Sequence, residues 1–116
     1  MLVSVYRVET PRGGCGPYNN EHKGLLEPMF EVHRAGLHPN PVQDDLLGGY
    51  ISPSEHCGFA TLEQLDEWFS GFHGLLAELG FVKVKYVVPV HLVRYGKTQL
   101  VFQRGNYFPV ASLPMQ

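Results

Sequence analysis

Apolar residues recur at helical spacing along one long segment, from Thr61 to Leu79. Thr61 and Gln64, three residues apart, fit a capping box, in which both side chains accept hydrogen bonds from backbone N–H groups at the helix start. Gly80 stands where helices commonly end. The pattern therefore predicts one amphipathic helix, with a wide apolar stripe formed by Leu62, Leu65, Trp68, Phe69, Phe72, Leu75, Leu76 and Leu79.

The aromatic residues of this stripe predict a core rather than a docking face. Side chains on the apolar side of a single amphipathic helix usually pack against the rest of the domain. We therefore assign Trp68, Phe69 and Phe72 to the core. Gly71 and Gly74 each weaken a helix by about 1 kcal/mol relative to alanine, which suggests that a neighbouring backbone approaches closely there.

Alternating and β-branched positions predict strands on both sides of the helix. Leu2 to Glu9 is apolar on both faces, which favours a central strand. Phe81 to Pro89 is a second strand, extended or followed by His91 to Arg94. Gln99 to Gln103 is another, after a turn at Tyr95-Gly96-Lys97. A helix that leads through one glycine into a strand and then a hairpin is typical of an α+β fold.

Segments rich in Gly, Pro, Asn and Asp predict long loops from Thr10 to Gly24 and from Ala35 to Cys57. Leu25 to Arg34 contains Pro28, and its pattern is compatible with either a short strand or a turn. Residues 105–116 are interpreted as an irregular tail. We expect one α+β domain over residues 1–116, with the helix packed on a small, mostly antiparallel sheet.

Composition is that of a globular protein. Of the 116 residues, 44% are hydrophobic and 17% charged, enough apolar surface for one core without an excess of like charge. No apolar run approaches the roughly 20 residues that a membrane-spanning helix needs, so we expect a cytoplasmic protein without a membrane partner. Two cysteines do not make a disulfide framework, and we favour free thiols at Cys15 and Cys57, with Cys57 partly buried.

Charge is unevenly distributed along the chain. The segment from Met1 to Glu78 contains all eleven acidic residues and four basic ones, and carries −7. The segment from Leu79 to Gln116 contains five basic residues and no acidic one, and carries +5. Such polarity could create an anion-facing surface on the C-terminal strands. We favour the alternative, in which the two halves interleave in space and neutralise each other.

Residues capable of metal binding or nucleophilic chemistry are present, but their spacing matches no compact zinc signature. The possible ligands are His22, His33, His38, His56, Cys57, Asp44 and Asp45. The spacing of the possible bases and orienting groups does not select a catalytic set for either cysteine. No phosphate-binding loop or dinucleotide fingerprint occurs. We expect no metal, no catalytic residue and no cofactor, and therefore favour a protein that is not an enzyme.

A basic and aromatic mixture near the C-terminal hairpin is the one feature that points to nucleic acid. It consists of Arg94, Lys97, Arg104, Tyr95, Tyr107 and Phe108. The whole segment from Leu79 to Gln116 has five positive charges, which are few for such an interface. We favour solvated strand ends with the aromatic rings packed in the core.

Several short motifs together resemble a family of small proteins of bacteriophages and prophages. They are Val5-Tyr6-Arg7-Val8-Glu9, Gly16-Pro17-Tyr18, His38-Pro39-Asn40-Pro41 with Asp44, and Cys57-Gly58-Phe59 through Leu62-Glu63-Gln64-Leu65 to Trp68-Phe69. The resemblance extends from Val5 to the strand that ends at Phe102. It implies a phage accessory protein in the host cytoplasm that acts on a host or defence protein, CRISPR-type systems included.

A second resemblance is to ADP-ribosyltransferase-like folds, which open with a strand bearing an aromatic residue beside Arg or His, followed by a glycine-containing loop. Tyr6-Arg7 and Gly13 to Tyr18 match those parts. In that family the basic residue helps to hold NAD, and a late Glu stabilises the oxocarbenium-like centre. Here the late strand offers only the neutral Gln99 and Gln103. The resemblance therefore implies binding of a nucleotide-like ligand rather than its turnover.

Two main hypotheses follow. The first is a protein that binds a partner through loops on a rigid scaffold, with candidate binding residues Arg7, Gly16, Pro17, Tyr18, His38, Asp44 and Gln99. The second is an NAD- or ADP-ribose-type binding domain in which Arg7, Tyr18 and His38 line a cleft. A structural role in the virion is a third. In each case an inward-pointing Arg7 needs a carboxylate or a bound anion, and Glu9 or Asp44 could supply it.

Overall fold

Three α-helices and six β-strands make up the part of the chain that the structure, a computed structural model, describes: residues 1–10, 16–17, 23–33, 52 and 54–116. The helices are α1 (Glu27–His33), α2 (Leu62–Trp68) and α3 (His73–Glu78). The strands are β1 (Leu2–Glu9), β2 (Glu55–Gly58), β3 (Val82–Pro89), β4 (Val93–Tyr95), β5 (Leu100–Gln103) and β6 (Ala111–Pro114). The predicted α+β class is confirmed.

The strands of the described residues form two antiparallel sheets of three strands each. One has the order β1-β3-β6 and the other the order β2-β5-β4. The sheets meet where Tyr6 of β1 and Phe59, just beyond β2, exchange two backbone hydrogen bonds of 2.9 and 2.7 Å. This junction brings β1 against the second sheet at Gly58, which has no side chain to keep them apart.

The β1–β3–β6 sheet has a core on each face. Alternation along β1 sends Tyr6 and Val8 to one face and Val5 to the other. The first core joins this sheet to the helices through Leu26, Met29, Phe59, Leu65, Trp68, Phe69, Leu76, Phe81 and Met115. The second joins it to the other sheet through Val84, Tyr86, Val88, Val93, Leu100 and Phe102. The two apolar faces predicted for the first strand are thus both covered.

The predicted long helix is two short ones. Its start is as expected, since Thr61 Oγ1 accepts a hydrogen bond from the Gln64 backbone N–H at 3.1 Å. Between α2 and α3, Gly71 has a φ of 89°, a conformation that glycine adopts without strain. No close backbone explains the glycines: no described atom lies within 4 Å of a Cβ at Gly71, and at Gly74 the neighbour is a side chain, that of Gln116.

The predicted core aromatics are confirmed. Trp68 and Phe69 are buried, and Phe72 packs partly against the same cluster. The buried His33 ring at the end of α1 lies 5.6 to 5.9 Å, centroid to centroid, from all three rings. α1 is therefore tied to the helical pair through aromatic contacts.

Two element predictions are wrong. Leu25 to Arg34 is neither strand nor turn over most of its length, because Pro28 lies in the first turn of α1, where its missing N–H costs no helical hydrogen bond. The tail is not irregular throughout: β6 pairs with β3, and Met115 beyond it is buried. The local sequence pattern does not reveal whether a proline lies in the first turn of a helix, where it is tolerated. Nor does it reveal which distant strand a segment pairs with.

The second predicted loop ends earlier than expected. β2 begins at Glu55, and Cys57 within it is a free thiol; the residue as a whole is exposed, but its thiol is desolvated enough to raise its pKa. Residues 34–51 of that loop lie outside the described residues.

Charges from the two halves of the chain do meet in space. Lys83 Nζ lies 2.6 Å from Asp66 Oδ1. Arg94 donates two hydrogen bonds of 2.8 Å to the two carboxylate oxygens of Glu55, which joins β4 to β2 across β5. These contacts support the interpretation that the basic C-terminal segment is neutralised by the acidic N-terminal one.

We expect Gly58→Ala to lower the free energy of unfolding by about 1–3 kcal/mol. A Cβ there would lie 2.7 Å from Val5 Cγ1 and 3.1 Å from the Tyr6 carbonyl oxygen, so the junction between the sheets would have to open. Denaturant unfolding followed by Trp68 fluorescence measures the change. The control is Gly24→Ala, where nothing described lies within 4 Å of the new Cβ. Equal losses in the two variants would contradict the close approach at Gly58.

Candidate functional site

Arg7 lies inside the protein, on the face of β1 that packs against the second sheet. Its side chain is 10% exposed, and its Nε lies 3.0 Å from Oε2 of Glu9, whose side chain is 2% exposed. The contact is an ion pair rather than an aligned hydrogen bond, since Arg7 Nε has no hydrogen-bond partner among the described residues. Glu9 is thus the carboxylate that an inward Arg7 was expected to need, and Asp44 lies outside the described residues.

The Glu9 carboxylate also binds Tyr86 of β3. The Tyr86 hydroxyl oxygen lies 2.9 and 2.6 Å from the two carboxylate oxygens, and its one proton serves one of them at a time. Arg104, just after β5, donates from Nε to that hydroxyl oxygen at 2.7 Å, with its guanidinium carbon 5.6 Å from the ring centroid. We call Arg7, Glu9, Tyr86 and Arg104 the buried polar network. It connects β1, β3 and the end of β5.

Burial and charge act against each other in this network. Burial lowers the pKa of the Arg7 guanidinium, and the Glu9 charge works in the opposite direction. Burial raises the pKa of Tyr86 to about 12, and its hydrogen bond to Glu9 adds to the rise, while Arg104 opposes it. Tyr86 is therefore a neutral phenol at neutral pH.

Gly16 and Pro17 lie on this network. A Cβ at Gly16 would be 2.9 Å from Arg7 Nη2, so a residue with a side chain here would require the guanidinium or the backbone to shift. Pro17, the next residue, is buried. Three of the predicted site residues, Arg7, Gly16 and Pro17, are therefore brought together. Tyr18, His38 and Asp44 lie outside the described residues.

Gln99 is not part of this arrangement. It is buried beside the turn between β4 and β5, where its carbonyl oxygen accepts a 2.8 Å hydrogen bond from the Gly96 N–H. Arg104 lies at the other end of β5, five residues away, which is roughly 16 Å in an extended strand. Gln99 therefore contributes to the hairpin between β4 and β5 and not to the buried polar network.

β2 borders the network and adds two residues with altered pKa values. Burial lowers the pKa of His56, and the charges of Arg7 and Arg104 lower it further. Desolvation raises the pKa of the Cys57 thiol, and Arg7 opposes that rise. His56 is therefore neutral and Cys57 protonated at neutral pH, which does not favour an activated thiolate.

The sequence interpretation missed Tyr86 and Arg104 as members of the site. A signal for Tyr86 existed, because period-two alternation puts it on the same face of β3 as Val84 and Val88, both buried. The antiparallel register then places Tyr86 opposite Val5, two residues from Arg7. Arg104 comes from another sheet, and no local pattern connects it to β1.

The predicted burial of the C-terminal aromatic residues is wrong. Tyr95, Tyr107 and Phe108 are 42%, 39% and 77% exposed. Among the described residues no group of three or more His, Cys, Asp or Glu side chains is arranged to hold a metal ion. Within the same ranges, no helix has the length and apolar character needed to span a membrane.

We expect Glu9→Gln to lower the free energy of unfolding by about 3–5 kcal/mol, because it leaves the Arg7 charge buried without its counter-charge. Thermal or denaturant unfolding measures the loss. Glu63→Gln, an exposed position in α2, is the matched control and should change stability by less than about 0.5 kcal/mol. A Glu9→Gln variant as stable as that control would show that the ion pair is not needed.

The raised pKa of Tyr86 predicts a loss of stability at high pH. The folded protein holds this proton more tightly than the unfolded chain, so the contribution is complete below pH 10 and is lost as the pH rises towards about 12. Unfolding free energies measured across that interval should fall less steeply in Tyr86→Phe than in the unaltered protein. Tyr95→Phe, at an exposed tyrosine, should keep the full slope. Identical slopes in all three proteins would rule out the effect.

The comparisons with known proteins agree with the resemblance seen in the sequence. The family model described as Bacteriophage T4 Y00F protein matches residues 1–116, the whole chain. No curated protein and no solved structure shows a significant match. The chain belongs to the Bacteriophage T4 Y00F protein family and is a small phage protein.

Proposed function

We propose that this phage protein acts by binding a host or defence protein, which it inhibits or redirects. The observation that supports the proposal is the contact between Gly16 and Arg7, in which the loop backbone lies against a buried guanidinium. Pro17 is buried beside it. The segment that leads to Tyr18 is therefore anchored to the centre of the fold.

An anchored loop suits partner binding for an energetic reason. A loop that is already held in place loses less conformational freedom on binding, so more of its contact energy appears as affinity. Loops on rigid scaffolds commonly carry binding residues, and tyrosine is frequent among those that dominate an interface. We propose Tyr18, the residue that follows the buried Pro17 in the chain, as the first candidate for the contact with a partner.

The buried polar network favours binding over catalysis. Both Glu9 oxygens lie within hydrogen-bonding distance of Tyr86, and one of them also lies 3.0 Å from Arg7. To act as a base or nucleophile, Glu9 would first have to give up these partners inside the protein. We therefore assign the network a bracing role, by which we mean that it stabilises the packing of β1, β3 and the end of β5 and takes no part in catalysis.

Binding of an NAD- or ADP-ribose-type ligand is a second candidate. Arg7 and Arg104 contribute two positive charges to a network with one carboxylate, close to a glycine-containing loop. Phosphate groups pair well with guanidinium groups in such surroundings. Against this candidate, Arg7 already faces Glu9.

A pull-down from phage-host lysate tests the leading proposal. Tagged unaltered protein should retain a partner, and Gly16→Val should lose it, because the valine side chain displaces the loop from Arg7. Gly24→Val is the control, since the space around Gly24 is open among the described residues. Circular dichroism and Trp68 fluorescence confirm that each variant is folded. A partner retained equally by both variants would contradict the proposed contact surface.

Isothermal titration with NAD and with ADP-ribose tests the second candidate. We expect no binding heat from the unaltered protein. Saturable binding that is lost in a folded Arg7→Ala variant and weakened in Arg104→Ala would replace the leading proposal with ligand binding. Measured turnover of either compound would contradict both the bracing role of Glu9 and the proposal of a non-enzymatic protein.

A further inference from the structure

β6 forms one edge of the β1–β3–β6 sheet. On its inner side it pairs with Val82 to Lys85 of β3, and no strand of the described residues pairs with its outer side. All four of its residues are exposed. The outer backbone N–H and C=O groups of such a strand form a ready template for another strand.

The segment around β6 is also uncharged and apolar. Residues 105–116 contain no Asp, Glu, Lys or Arg. Exposed apolar side chains are concentrated there: Tyr107 at 39%, Phe108 at 77%, Val110 at 62% and Leu113 at 42%. Contiguous exposed apolar surface on a small protein commonly marks a contact with another protein.

The opposite edge of the fold is built differently. β4 is only three residues long, and it carries Arg94, with Lys97 two residues beyond its end. Short length and charged side chains are the usual means by which proteins prevent unwanted pairing at an edge. β6 has no such charge, so its edge lacks this protection against pairing with another strand.

We propose that β6 pairs antiparallel with β6 of a second copy of this chain, about a two-fold axis. A two-fold axis brings the same segment of both copies together, so the segment must not concentrate charges of one sign at the contact. The uncharged residues 105–116 meet that requirement. Pairing with a charged strand of another protein would leave the partner's charges without a complement on this segment.

A register centred on Ser112 fits the side chains. It places Leu113 of each copy opposite Ala111 of the other, and Val110 opposite Pro114, so that large side chains meet small ones. Pro109 and Pro114 have no N–H to donate, which keeps the new ladder short. Because the pairing uses the same edge of both copies, it closes at two chains and does not extend into a filament.

This surface is distinct from the Gly16–Pro17 contact with Arg7. β6 and β1 lie on opposite sides of β3. The dimer therefore does not rest on the function proposed above, and it presents two copies of the anchored loop to a partner. Two linked copies would bind a partner with two sites more tightly than one.

Sedimentation velocity of the unaltered full chain over a dilution series tests the dimer. We expect a concentration-dependent mixture of monomer and dimer. Val110→Asp should raise the dissociation constant at least about tenfold, because it places a charge without a counter-charge in the apolar contact, opposite Pro114 of the other copy. The matched control is Leu25→Asp, at a residue that is also 62% exposed but lies in the short 3-10 helix Lys23–Leu26, which precedes α1. It should leave the dimer unchanged.

A second readout addresses the pairing itself. The backbone amides of Ala111 to Leu113 that point away from β3 should gain protection from hydrogen exchange as the protein concentration rises, and lose it in Phe108→Asp or Val110→Asp. The proposal is overturned by a monomer at every concentration, by a dimer that Leu25→Asp weakens as much as Val110→Asp, or by protection of these amides only after a host protein is added.

Discussion

The structure depends on one constraint, the burial of the Arg7 charge between two sheets. A guanidinium removed from water is stable only when it is paired, and an unpaired buried charge costs several kcal/mol. Glu9, two residues along the same face of β1, supplies the pair at 3.0 Å. Tyr86 then donates its hydroxyl proton to the carboxylate, and Arg104 donates to the Tyr86 hydroxyl oxygen. The ion pair thereby requires β1, β3 and the end of β5 to meet at one place.

The same constraint connects the core to the surface. Gly16 lies against Nη2 of Arg7, and Pro17 is buried next to it, so these two residues are held at the charged centre of the fold. Membership of the Bacteriophage T4 Y00F protein family places the chain among small phage proteins. The engagement of the Glu9 carboxylate by Arg7 and Tyr86 supports the proposal that this protein binds a partner rather than catalysing a reaction. The edge strand β6, on the far side of β3, adds a separate surface through which two copies would meet.

Much of the fold was predictable because it rests on local pattern. Strand alternation located β1 and β3, and the capping residue Thr61 located the start of α2. From the sequence, Gly71 could be recognised only as a position that weakens a helix. Glycine permits a positive φ but does not require one, so the break between α2 and α3 could not be predicted. β6 depends on pairing with β3, far away in sequence, and an irregular tail was the natural local interpretation. Of the site, the inward Arg7 and its partner Glu9 followed from two-residue spacing, whereas Tyr86 and Arg104 required knowledge of how three strands pack.

A double-mutant cycle between Arg7 and Glu9 tests the central claim most directly. The unfolding free energies of the unaltered protein, Arg7→Met, Glu9→Gln and the double variant give the coupling energy of the pair. We predict a favourable coupling of at least about 2 kcal/mol, with the double variant more stable than Glu9→Gln alone because it no longer buries an unpaired charge. A coupling near zero, with the losses of the two single variants simply adding, would contradict the account.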